Sequence, residues 1–104
     1  MSTNTHIITL QEAETLTHAY QNAQQFQGLT IASLTNSAEV IQLLNQPGCC
    51  GLRVYFALNS LNQLTVVLVG SDSNGYDMTN GVILNKSELC PADCFASPLI
   101  SQQI

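Results

Sequence analysis

The chain has 104 residues, enough for one domain with one modest core. Only 9% of the residues are charged, and the net charge of −5 is set against a single Arg, Arg53, and a single Lys, Lys86. So few cations exclude nucleic acid and an anionic membrane surface as partners, and the amide- and hydroxyl-rich surface that remains permits a homo-oligomer or a protein partner.

No apolar run approaches the ~18 residues of a membrane span. The start, MSTNTHIITLQEAE, has no cationic stretch followed by an apolar one, so no secretory leader is expected and the expected compartment is the cytoplasm. Residues 1–7 read as a short tail or an edge strand. Thr9 and Glu12 then form a capping-box signature, each side chain placed to satisfy an orphan amide at a helix start. Leu10, Ala13, Leu16, Tyr20, Ala23 and Phe26 recur at spacings of three and four, which predicts an amphipathic helix of about four turns stopping at Gly28.

LTIASLT, residues 29–35, is a short strand or an extended connector. Asn36 caps a second, shorter helix with Val40, Ile41 and Leu44 on its apolar face, ended by Pro47 and Gly48. GLRVYFAL alternates, with Leu52, Val54, Phe56 and Leu58 on one face and Arg53, Tyr55 and Ala57 on the other. After the turn cluster NSLN, QLTVVLVG is apolar on both faces, as a central strand is. The two strands predict an antiparallel hairpin. SDSNGYD is a turn-rich loop, GVILN a third short strand, and SELCPADCF one helical turn with Pro91 at its first position. No repeat or internal boundary appears, so residues 1–104 read as a single domain. The expected fold is α+β: two N-terminal helices packed on a small antiparallel meander of about three strands, with a C-terminal Cys-containing turn.

The four cysteines lie in GCCG, at Cys49 and Cys50, and in CPADC, at Cys90 and Cys94. Thiols at i and i+4 on a helical turn point the same way and can grip one ion. Zinc is the candidate cofactor, because it takes four ligands, commonly from C-x₂₋₄-C pairs. Cys49 and Cys50 would complete the set, or Cys50 with His6 or His18. Adjacent cysteines of an extended chain face opposite sides, however, so a three-Cys site with His, Asp or water is an equal alternative. Three other readings stay open: four unpartnered thiols, at least two of them buried; a disulfide joining Cys90 or Cys94 to the 49–50 pair; and a reactive redox or iron–sulfur site. The last lacks the C-x-x-C spacing and the third closely spaced Cys it needs.

Arg53 reads as the partner of Asp72 or Asp77 through guanidinium–carboxylate pairing, or as an anchor for a small anion. Asp72, Asn74 and Asp77 offer oxygen ligands, but Gly75 is misplaced for a calcium loop and no Glu fits its last position, so turn chemistry is the better account. His18 reads as a solvated partner of Glu14, and His6 as a terminal residue. No spacing brings Cys, His and carboxylate together for nucleophilic catalysis.

GLRVYFAL, LTVVLVGSDSNGYDMTNGVI and CPADC together resemble a family of small proteins from Bacteroidetes and relatives. Its pattern runs G-(I/L)-R-x-Y, then an LVLVG strand leading into G-x-D-x-x-G-x-D-x-x-x-G-x-I, then C-P-x-x-C. The matching positions are Gly51, Arg53, Tyr55, Gly70, Asp72, Gly75, Asp77, Gly81, Cys90, Pro91 and Cys94. The resemblance implies that these positions act together and carries no established activity. FASPLI stands where members have an Asn-x-Leu tail. Two functions are set side by side: a small non-enzymatic binding or assembly module, and a thiol- or metal-dependent redox enzyme or metal carrier using Cys50, Cys90 and Cys94.

Overall fold

Thr9 opens the first helix through both halves of the capping box. Its Oγ1 accepts from Glu12 N–H at 3.1 Å, and Glu12 Oε1 accepts from Thr9 N–H at 3.0 Å. The computed structural model describes residues 6–85 and 88–101. The tail or strand expected for residues 1–7 falls mostly outside them, as do Lys86 and Ser87. Helix α1 spans Leu10–Asn22, a turn shorter than its periodicity predicts, and a 3-10 turn follows at Gln24–Phe26. The early stop has a local cause: Gln27 Nε2 donates to the carbonyls of Gln21 and Ala23, at 2.6 and 3.2 Å, filling acceptors that a continuing helix would use. Gly28, at φ +83°, then reverses the chain in a conformation that costs glycine little.

The strands form two antiparallel sheets. In the larger, β2 (Gly51–Leu58), β3 (Leu64–Ser71) and β4 (Ile83–Leu84) lie in the order β2-β3-β4. Strands β2 and β3 pair over their whole length, from Gly51 opposite Ser71 to Leu58 opposite Leu64. Asn59 shapes their connection, its Oδ1 accepting from Leu61 and Gln63 N–H at 2.9 Å each, while Asn62 takes the left-handed conformation. The smaller sheet joins β1 (Ala32–Leu34) to β5 (Glu88–Cys90), with Ala32 opposite Cys90.

This arrangement corrects the expected fold. The second helix, α2 (Ser37–Leu44), comes after a strand, and it is the helix that packs on β3 and β4. Helix α1 is held through polar side chains by the C-terminal segment: His18 Nε2 lies 2.9 Å from Pro98 O, Gln21 Nε2 donates to Leu99 O at 2.9 Å, and Gln21 Oε1 accepts from Ser101 N–H at 2.7 Å. Leu10 and Leu16, the stripe expected to face the core, are exposed. The C-terminal stretch supplies β5 where a helical turn was expected, because residues 29–35 are an unpaired strand until Glu88–Cys90 reaches them. Ile31 N–H donates to Cys90 O at 2.8 Å, extending that pairing by one bond.

Asn36 Oδ1 accepts from Ala38 and Glu39 N–H at 2.9 and 3.3 Å, so α2 starts where its cap predicts. Its buried residue is Leu43, at 0% exposure, rather than the predicted Val40, Ile41 and Leu44; Ile41 and Leu44 are exposed. One turn on, Gln46 locks the helix end to the sheet. Its Nε2 donates to Leu43 O and its Oε1 accepts from Val82 N–H, both at 2.8 Å. Among the described residues the buried apolar set is Leu43, Leu68, Val69 and Cys90. The chain presents 7731 Å² of surface, where a monomer of 11.2 kDa is expected to present about 5,700 Å². Its radius of gyration is 15.3 Å, against about 13 Å for a compact chain of this length.

Candidate functional site

Alternation along β2 puts Arg53 and Tyr55 on one face of the sheet, and the loop after β3 returns Asp77 to both. Arg53 Nη1 donates to Asp77 Oδ1 at 2.5 Å and to Gly75 O at 3.0 Å, while Tyr55 Oη donates to Asp77 Oδ2 at 2.5 Å. Both carboxylate oxygens are therefore occupied. The Tyr55 hydroxyl, and then the Arg53 guanidinium, hold the Asp77 carboxyl below the usual range. In return the hydrogen bond to Asp77 raises Arg53 and Tyr55.

Of the two predicted partners of Arg53, Asp77 is the one it meets. Asp72 works on the backbone instead: its Oδ1 accepts from Asn74 and Tyr76 N–H at 2.9 and 3.0 Å, and Gly75 turns the loop at φ +84°. The same-face pairing of Arg53 and Tyr55 was available from alternation. The clamp at Gln46 was not, since nothing in the sequence marks a helix-end glutamine as reaching a loop 36 residues away.

The cysteines overturn the zinc expectation. Cys90 and Cys94 form a disulfide across the CPADC turn, with Cα atoms 4.8 Å apart. Among the described residues no three His, Cys, Asp or Glu side chains gather as ion ligands. The bond is also local, where the disulfide alternative had joined Cys90 or Cys94 to the 49–50 pair. CPADC continues the strand that pairs with β1, whereas GCCG leads into β2, where Cys50 N–H donates to Ser71 O at 2.7 Å. Cys49 and Cys50 are free thiols directed at backbone carbonyls: Cys49 Sγ lies 3.3 Å from Gly51 O and Cys50 Sγ 3.7 Å from Gly48 O. Among the described residues no helix is long and apolar enough to cross a membrane.

One face of the larger sheet carries a row of exposed apolar side chains. Leu52, Val54, Phe56 and Leu58, which alternation puts on one face of β2, are exposed by 43%, 48%, 80% and 67%. Beside them a groove of about 430 Å³ runs between the hairpin and the segment after α1, with Tyr20, Phe26, Ile31, Phe56, Leu64 and Val66 in its walls. Tyr20 and Phe26 stack there at 5.1 Å between ring centres, and Tyr20 Oη donates to Thr30 O at 2.9 Å. Compared with family models, curated proteins and solved structures, the chain matches none.

Proposed function

We propose that this chain is a small non-enzymatic binding or assembly module, completed by the surface of another polypeptide. The observation that carries the reading is the open apolar face of β2. Four large side chains in one row are left to water, although burying each would contribute roughly 1.5–3 kcal/mol.

The chemistry supports the same reading. Asp77 has both oxygens engaged and His18 is spent on a tail carbonyl. Cys49 and Cys50 lie against carbonyls without a base, and no observation favours a redox or carrier activity at the thiols. The test is molar mass by light scattering over a wide concentration range, with retention of partners on the immobilised chain. Assembly into a defined complex is the expected result. A chain that stays monomeric at high concentration and retains no defined partner overturns the proposal.

A further inference from the structure

The uncovered row lies on a strand whose other edge is also open. In the order β2-β3-β4, β2 is an edge strand, and among the described residues it pairs on one side only. Hydrogen-bond directions show which groups that edge presents. Asn59 N–H donates to Gln63 O, so the odd-numbered residues of β2 turn their main-chain groups toward β3. The other side of β3 agrees: Gly70 O accepts from Met78 N–H and Val66 O from Asn85 Nδ2, both pointing away from β2. The N–H and C=O groups of Leu52, Val54, Phe56 and Leu58 therefore point outward.

Edge strands are usually protected by Pro, Lys, a bulge or inward charge. GLRVYFAL has no Pro or Lys, keeps one-to-one register with β3 from Gly51 to Leu58, and its one charge is neutralised by Asp77. We propose that this edge pairs antiparallel with the same edge of a second copy, joining the two meanders into one continuous six-stranded sheet. The inference rests on the assembly reading above and names its partner.

The register follows from the strand itself. Directly opposite residues of an antiparallel pair share a face, so a two-fold axis normal to the sheet passes through a residue, never between two. An axis at Arg53 sets two guanidinium groups opposite each other. An axis at Val54 sets Leu58 opposite Cys50, whose N–H is already given to Ser71 O. An axis at Tyr55 has neither fault. It pairs Leu52 with Leu58 and Val54 with Phe56 of the second copy, engages all four outward residues of each strand in about eight main-chain hydrogen bonds, and places Arg53 opposite Ala57. The apolar row of one copy then meets that of the other.

Three measurements on the full chain test this. Wild type is expected to weigh two chains by light scattering. Phe56→Lys, at a side chain 80% exposed and so harmless to the folded monomer, is expected to raise the dissociation constant at least tenfold. Tyr55→Cys is expected to give a reducible covalent dimer under mild oxidant, at least tenfold above wild type and above Val54→Cys. Residues facing at the axis stand about 4.5 Å apart between Cα atoms, within disulfide reach. A dimer that survives Phe56→Lys and does not cross-link at Tyr55→Cys overturns the edge pairing and leaves the assembly reading intact. Cross-linking stronger at Val54→Cys overturns the register argument. A wild-type chain that is monomeric alone overturns the inference, whether or not another protein is retained on it.

Discussion

Leu43→Ala probes the joint on which the larger sheet depends. Leu43 is fully buried where α2 meets β3 and β4. Truncation removes its transfer free energy and leaves a cavity, and such changes cost 2.7–5.0 kcal/mol in a well-packed host, rising with the volume that fails to collapse. Here Asn36 caps one end of α2 and Gln46 ties the other to Val82, so the helix cannot easily settle into the gap. We therefore expect about 3 kcal/mol. With an unfolding entropy of about 2.1 cal/mol/K per residue, that is a fall in Tm of about 14 °C. An eight-residue helix is unstable alone, so far-UV circular dichroism should show α2 lost with the sheet in one urea transition. Leu16→Ala, at an exposed stripe residue of α1, should cost less than about 0.5 kcal/mol. A Leu43→Ala loss below about 1 kcal/mol would refute the packing of α2 through this residue, because only an unfilled or solvated site could give so little.

A Cβ added at Gly81 would overlap Gln46 Oε1, so Gly81→Ala should cost about 1 kcal/mol by displacing the bond to Val82. In a Gln46→Ala background it should cost nothing, and full additivity in the double-mutant cycle would show that the two do not meet. Asp77 is held below its usual range, so its stabilisation is present above the ordinary carboxylate range and lost as pH falls through the lowered value. Tyr55 is raised, so its share is present below the ordinary phenol range and lost as pH rises through the raised value. Tyr55→Phe should move the Asp77 carboxyl titration, followed by carbon NMR, upward; an unmoved titration would remove Tyr55 from the cluster. Alkylation of denatured, unreduced chain should label Cys49 and Cys50 alone, with Cys90 and Cys94 following only after reduction. Four labelled cysteines before reduction would remove the disulfide, whose short loop is worth about 2 kcal/mol.

Both helix starts were legible because a cap is chemistry within four residues: Thr9 with Glu12, and Asn36 with the next two amides. The β2–β3 hairpin was legible because alternation and a turn cluster are also local. What failed required distant segments to meet. Glu88–Cys90 reads as a helical turn until Ala32–Leu34 is there to pair with it, and Gln21 reads as surface until Leu99 and Ser101 arrive. The thiols failed for a related reason. Spacing i, i+4 served a disulfide as well as a metal, and the choice turned on whether GCCG reached CPADC. One pattern was legible without its partner. Leu52, Val54, Phe56 and Leu58 do share a face, but alternation alone leaves open what covers it. A period of two specifies which residues are buried together; it does not specify by whom. In a chain with nine per cent charge and one Arg, little opposes a second copy doing the covering. The row that the chain itself leaves uncovered is thus the row on which the assembly proposal rests.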